Sequence, residues 1–439
     1  MLELFIEFWR LTDPNVVWVL SGAILLGSST GVLGSFLFFR KRSLIGDALA
    51  HAALPGVMSA FILFQTRDPL VILSGAIISC FIGFFFIDYM VKHTKIKEDS
   101  ALAIVLSLFF AIGIFELTYI QKLEVASKSG LDKILFGQAA ALVQADVIIL
   151  GIAALLSLAI VALFYDKLRL ITLDRQFAQS LGMNVTFYEL MLTFSIVLSV
   201  VIGLQIFGVV LMAAALLFPV AAGRYWSDSL PCILLLCAIF GALSGAASAN
   251  ISYLAPQMPT GPWMVVMSSI IFFISMCFAP NRGALMRYIR IKNQANRSND
   301  ENLLRTFYVL GESGNSFTQL LAPEQVLSVR NMGVKVLRQS INRMLKKHMI
   351  ERENMCYRLT DKGLNEAKKI TRYHRLWELY LTQRANISPN LVHDSAEDVE
   401  HMLTPELERR ISEELGYPEQ DPHGQIIPKN DQLAGGNAS

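Results

Sequence analysis

G-D-A-L-A-H-A-A-L-P-G, residues 46–56, sets Asp47 and His51 one helical turn apart in a run that is otherwise apolar. Side chains at i and i+4 share one face of a helix. An ionisable residue inside a membrane helix is costly and seldom faces lipid, so by default it marks a substrate or ion pathway. A carboxylate beside an imidazole is ligand chemistry for a divalent transition metal. The competing reading has the segment entering the membrane near Ser43, which leaves Asp47 at the interface and makes His51 a satisfied core histidine.

Outward from this stretch the chain stays apolar. Of 439 residues 53% are hydrophobic, and the mean hydropathy of +0.46 excludes an ordinary soluble protein. Apolar runs fall at 17–39, 43–64, 69–91, 101–120, 145–164, 187–203, 206–225, 230–253 and 262–278. Each is close to the roughly 20 residues that span a hydrocarbon core. The two runs flanking Gln205 have almost no polar loop between them and fit a single re-entrant or broken element as well as two crossings. The expected fold is therefore an all-α polytopic membrane domain of eight or nine transmembrane helices. Basic residues at 40–42, 92–97, 167–175, 224 and 282–290 fall on one side of a nine-span arrangement, which assigns that side to the cytoplasm. The acidic N-terminus, M-L-E-L-F-I-E-F-W-R, lacks the basic region and cleavage site of a signal peptide. The five cysteines show no C-x-x-C pair and read as small core residues.

The loop 165–184 carries Leu173, Phe177 and Leu181 at helical spacing and stops at Gly182. A short amphipathic helix of this kind either docks on a partner or lies on the membrane surface. No G-x-x-x-x-G-K-[ST] occurs, so the chain does not cradle nucleotide phosphates in that way.

Several stretches together, S-L-I-G-D-A-L-A-H-A-A-L-P-G (43–56), L-F-G (135–137), D-R-Q-F-A-Q-S-L-G-M (174–183), F-G-V-V-L-M-A-A-A-L-L-F-P-V-A-A-G-R (207–224) and P-T-G-P (259–262), resemble the permease subunits of the ABC-3 family. The resemblance covers roughly 15–285. It implies import of manganese, iron or zinc along a path lined by Asp47 and His51. It implies that Asp174, Arg175, Gln176, Phe177, Leu181 and Gly182 belong to a coupling helix seated on a separate ATPase subunit. An extracytoplasmic metal-binding protein and a second permease copy are the further implied partners, and the bacterial plasma membrane is the implied location. Pro219 removes one bond from its helix ladder and is expected to help that helix kink or gate.

Beyond residue 280 the composition turns polar. The expected divisions are a permease domain at 1–290, a polar linker at 291–302, a soluble winged helix-turn-helix at 303–371, a helical metal-binding and dimerisation domain at 372–430, and a disordered tail at 431–439. Within the winged helix-turn-helix, 334–348 is the candidate recognition helix. Val334, Leu337, Ile341, Met344 and Leu345 form its expected inner stripe, and Lys335, Arg338, Gln339, Asn342 and Lys346 point outward. Cationic and amide side chains suit phosphates and base edges, although a basic helix face is often only solvated. Residues 349–360 alternate about Asn354 as a two-stranded wing, and Asp361 is the expected cap of the next helix.

Between 373 and 401 the pairs His374/Glu378 and Glu397/His401 recur at i, i+4, with His393 and Glu400 nearby. These are metal-ligand types, or equally a charged amphipathic helix pair. R-Y-H-R-L-W-E (372–378), V-H-D-S-A-E-D-V-E-H (392–401) and D-P-H-G-Q-I-I-P (421–428) resemble the DtxR family of metal-dependent repressors. That likeness implies one metal site from His374, Glu378 and His393, another from Glu397, Glu400 and His401, and operator DNA as a partner. The divalent metal is thus expected both as substrate and as co-repressor. Where relatives supply a further ligand in the first soluble helix, this chain has Asn302 and Arg305. The overall expectation is a metal permease fused to a metal-sensing regulator. Two alternatives stay open: a metal gate that never touches DNA, and a membrane-tethered transcription factor that no longer transports.

Overall fold

The computed structural model describes residues 2–66, 68–122, 137, 144–255, 258–330, 332–384 and 405–429. The chain divides into two compact units, Met1–Arg287 and Tyr288–Ser439.

The first unit is helical. A short helix α1 (Leu2–Arg10) buries Phe8 against Tyr253, with ring centroids 5.4 Å apart. Long helices α2 (Pro14–Phe39), α3 (Ile45–Phe64), α4 (Pro69–His93), α5 (Glu98–Lys122) and α6 (Gln144–Leu163) follow. Two of them open on Asp-Pro: Asp13 and Asp68 each accept the N–H two residues on at 2.9 Å, and each proline occupies the first helical position. The proline's missing donor costs nothing there, and the aspartate satisfies an orphan N–H. Two short helices, α7 (Tyr165–Leu173) and α8 (Arg175–Ser180), lead into α9 (Val185–Phe207) and α10 (Met212–Trp226). The unit closes with α11 (Leu230–Leu254) and α12 (Thr260–Phe278).

Among the described residues eight helices are long and apolar enough to cross a membrane, and the chain is a multi-pass membrane protein. The ninth expected run became α10, whose 15 residues extend about 22 Å, short of a ~30 Å core. The break between α9 and α10 falls at Gly208, whose φ of 80° suits glycine, and not at Pro219, through which α10 continues. After that break α10 doubles back: Met212 packs on Gly203, and the Arg224 guanidinium ends over the Phe39 ring at 5.4 Å. The element around Gln205 is thus a helix followed by a short return, which reconciles eight with nine.

Small residues set the closest helix approaches. Gly27 and Gly31 on α2 meet Gly241 and Cys237 on α11; a Cβ on Gly27 would lie 2.2 Å from the Gly241 carbonyl oxygen, and one on Gly241 1.9 Å from that of Gly27. Gly56 on α3 and Gly75 on α4 face each other in the same reciprocal way, at 2.2 and 2.5 Å. Lipid gives no hydrophobic drive for helix association, so backbone contact of this kind supplies van der Waals energy instead.

The second unit holds α13 (Ala284–Ser313) from Tyr288 onward, α14 (Pro323–Val329), α15 (Val334–Lys346), strands β1 (Ile350–Glu353) and β2 (Cys356–Leu359), α16 (Asp361–Arg384) and α17 (Pro405–Glu414). The stretch read as a polar linker, 291–302, is helical throughout as part of α13. No glycine or proline lies between 284 and 310 to interrupt it, and Arg297 bonds Glu301 at i+4 with 2.7 Å. Leu303, Phe307, Leu337, Ile341, Met344, Ile350 and Leu359 form the core of the winged helix-turn-helix. The wing pairs Ile350 with Leu359 and Glu353 with Cys356, turning at Asn354 with φ 56°. Leu321 and Tyr357 exchange both backbone bonds, extending the wing by one bridge. The cap of α16 differs from expectation: Thr360 Oγ1, rather than Asp361, accepts the Gly363 N–H at 3.0 Å.

Two motifs far apart in sequence, 372–378 and 421–428, pack together. Arg375 donates to Glu312, Gln425 and the Ile426 carbonyl, while Arg372 donates to Glu408 at 2.8 Å and to the Pro428 carbonyl at 2.9 Å.

Candidate functional site

Asp47 and His51 sit on α3, which is the most enclosed of the eight spans, with 72% of its apolar window buried. His51 Nε2 lies 3.7 Å from Asp47 Oδ1, too far for a hydrogen bond. Their side chains are 12% and 24% exposed, so both are partly accessible without being solvated like surface groups. His51 Nδ1 is buried and has no hydrogen-bond partner among the described residues, which departs from the satisfied core histidine of the competing reading. No lysine or arginine among the described residues pairs with Asp47. The His51 ring stands edge-on to Phe110 of α5, centroids 5.0 Å apart. Pro55 carries no N–H, so the carbonyl of His51 loses its helical donor and adds an oxygen acceptor beside the imidazole. An uncommitted carboxylate, imidazole and carbonyl on one helix face can take a divalent cation and release it again.

Basic residues gather at one end of the bundle. Glu189 of α9 bridges Arg40, at the end of α2, and Arg175 of α8, the latter at 3.2 Å; Arg42 reaches Glu98 at 2.9 Å. Burial pulls the Arg40 guanidinium below its usual range, and the Glu189 charge opposes that shift. Asp174 caps α8 through the Phe177 N–H at 2.9 Å, and Gly182, at φ 74°, ends it. Helix α8 anchors by Ala178, which is buried, while Arg175 and Gln176 are exposed and Leu173, Phe177 and Leu181 present more than half of their surface outward. An apolar knob held by an ion-pair bridge can transmit force from a partner to α2 and α9.

In the second unit Lys335, Arg338, Gln339, Asn342 and Lys346 are all exposed on α15, and Leu337, Ile341 and Met344 are buried behind them. Val334, placed in the inner stripe by sequence, is 70% exposed because it stands at the first helical position, before the stripe turns inward. Buried Asp300 clamps the back of the helix, accepting from Arg343 at 2.8 Å and Lys347 at 3.3 Å. A presented cationic and amide face on a braced helix can contact phosphates and base edges.

His374 and Glu378 do meet, but with a cation already in place. His374 Nε2 is 3.0 Å from Glu378 Oε1 and 2.7 Å from Nη2 of Arg305, all three residues being buried. A guanidinium only donates, so Nε2 is its acceptor, and the lone pair that would bind a metal is committed. As arranged, this pair does not fit a resident metal ion. His393, Glu397, Glu400 and His401 lie outside the described residues. Sequence reading placed Arg305 where a ligand was expected without foreseeing that its charge would stand in for the ion. It also passed over Glu116, an acid inside the run 101–120 that was visible as such; Ser59 Oγ donates to Glu116 Oε1 at 2.8 Å.

The ABC 3 transport family model matches residues 12–279, and the metal-binding and dimerisation domain of the iron-dependent repressors matches 360–429. The manganese transport system membrane protein MntC of Bacillus subtilis is 40% identical over 388 residues, 88% of each chain. The zinc transport system membrane protein TroC of Treponema pallidum is 39% identical over 290 residues, 66% of this chain and 95% of that one. The solved structure of PsaBC from Streptococcus pneumoniae in complex with Fab superimposes with a TM-score of 0.59 at 30% identity, over 66% of this chain and all of its own. The chain therefore belongs to the ABC 3 transport family, as a membrane permease that also carries a domain of the iron-dependent repressor type.

Proposed function

We propose that this chain is the permease subunit of an ATP-driven importer of divalent transition metal, with manganese the first ion to test and iron and zinc the alternatives. The observation that carries the reading is the uncommitted Asp47/His51 pair on the most enclosed span. Two copies around one path would offer two carboxylates and two imidazoles, a donor set suited to manganese, iron and zinc alike. ATP hydrolysis is assigned to a separate subunit seated on the Leu173, Phe177 and Leu181 knob of α8, and an extracytoplasmic metal-binding protein delivers the ion. The basic end of the bundle faces the cytoplasm across a bacterial plasma membrane; the eight long helices and the return of α10 to that end, where Arg224 meets Phe39, together make an odd number of passes and leave the second unit on that side. There α15 binds operator DNA through Lys335, Arg338, Gln339, Asn342 and Lys346. Metal as co-repressor would have to displace Arg305 from His374; His393, Glu397, Glu400 and His401 are the remaining ligands of the two regulator sites.

The test is uptake of ⁵⁴Mn²⁺ by cells in which this chain, with its operon partners, is the sole importer. Asp47→Ala and His51→Ala should each abolish uptake with the chain inserted at normal levels, and competition by Fe²⁺ and Zn²⁺ ranks the ions. Normal uptake in both variants would refute the path assignment and favour a tethered regulator without transport.

A further inference from the structure

Glu116 is an acid well inside α5, six residues before its end, and it is not solvated like the charges at the helix ends. Its Oε1 accepts from Ser59 at 2.8 Å, and its Oε2 is buried with no hydrogen-bond partner among the described residues. A buried carboxylate oxygen without a partner is costly, the more so at membrane depth, and calls for an occupant. Its position names one. Asp47, His51, Pro55 and Ser59 follow each other at steps of four along α3, each turned roughly 40° from the one before, so that Ser59 lies about 80° round from His51. The same seam with α5 places Phe110 on His51, Leu54 against Gly113, where a Cβ would lie 2.6 Å from Leu54, and Glu116 on Ser59. Ser59 stands eight residues beyond His51, about 12 Å along the helix, on the side away from the basic end.

Resting on the transport reading above, we propose that Glu116 and Ser59 form a second cation station, at the outer mouth of the path, that receives a divalent ion before Asp47 and His51 do. The donors are a carboxylate and a hydroxyl, hard oxygens that suit a partly hydrated Mn²⁺ better than a thiophilic metal. The imidazole lies one station deeper. An ion would shed water in two stages, exchanging oxygen ligands at Glu116 before meeting nitrogen at His51.

The experiment measures ⁵⁴Mn²⁺ uptake against Mn²⁺ concentration in the same sole-importer cells, for the full chain and for Glu116→Gln, Glu116→Asp and Ser59→Ala, with the inserted chain quantified. Glu116→Gln should raise the half-saturating concentration at least tenfold, Ser59→Ala about threefold, and Glu116→Asp should recover most of the loss because the charge is kept. A merely structural role would lower the maximum rate with the amount of inserted chain and leave half-saturation where it was. An unchanged half-saturating concentration in Glu116→Gln overturns the station, whatever happens to the maximum rate. Asp47→Ala and His51→Ala run in parallel separate the two failures: if they abolish uptake while Glu116→Gln is normal, only the outer station falls; if they too are normal, the path falls with it.

Discussion

Among the described residues two helices carry an acid–histidine pair at i, i+4, α3 and α16, and their surroundings give the two pairs opposite character. Asp47 and His51 stand 3.7 Å apart, partly exposed, with no lysine or arginine among the described residues paired to them. His374 and Glu378 close to 3.0 Å, are 2% and 3% exposed, and are met by Arg305 at 2.7 Å. The first pair is held apart and uncommitted, which suits an ion that must arrive and leave. The second has its charge balanced from within, so it holds helices together without an ion. Spacing announces ligand types; the third residue decides whether a ligand site exists.

The comparison breaks most visibly in transport. Removing either member of the α3 pair should lower ⁵⁴Mn²⁺ uptake by 100-fold or more, which corresponds to about 2.7 kcal/mol. His374→Ala should leave uptake within about twofold, since the α16 pair is no part of the path; an equal loss at both pairs would erase the distinction drawn here.

A smaller effect, of opposite kind, is expected at Arg305. Arg305→Met strips the buried His374/Glu378 pair of its donor and should destabilise the second unit by about 1–3 kcal/mol. Limited proteolysis of the full chain in nanodiscs, read by cleavage within 288–429, measures this. Added Mn²⁺ should restore much of the protection in Arg305→Met and little in the wild type, because the variant removes the guanidinium that competes for Nε2. Protection by Mn²⁺ that is equal in both would show that the guanidinium does not compete with metal.

DNA binding sharpens the same contrast. If Arg305 does the work of an ion, retardation of the promoter DNA by the full chain should change less than about threefold between chelator and Mn²⁺, and more in Arg305→Met. Lys335→Ala and Lys346→Ala should each weaken binding across sequences and lower the salt slope by about one. A metal response of tenfold or more in the wild type would return the sensing role to ligands other than His374.

The smallest expected effect is on stability at Asp47. Because its carboxylate makes no hydrogen bond to His51, Asp47→Asn should shift unfolding of the membrane unit by less than about 1 kcal/mol while uptake collapses. Loss of inserted chain in this variant would mean that the pair is structural.

Much of this architecture was legible in the order of residues. The apolar runs, the amphipathic α8 with its Gly182 stop, and the buried stripe Leu337, Ile341 and Met344 all follow from period and local chemistry, which act within a few residues. The polar stretch 291–302 reads by composition as a linker, with no secondary structure assigned to it; that it is helical follows from the absence of any residue there that breaks a helix. The acid–histidine pairs were equally plain, since i, i+4 is a local fact. What sequence could not supply is contact between residues distant along the chain. Arg305 and His374 are 69 positions apart, and Ser59 and Glu116 are 57. Whether an imidazole lone pair is open or spent, and whether a lone acid has a hydroxyl beside it, depends on which helices cross and at what depth. Those crossings are set by the summed fit of small residues such as Gly27 on Gly241 and Gly56 on Gly75. Sequence by itself determined the helices and the chemistry available on each face, because both are local; only the tertiary structure decided which of two like pairs is free for an ion, because that depends on what is packed against it.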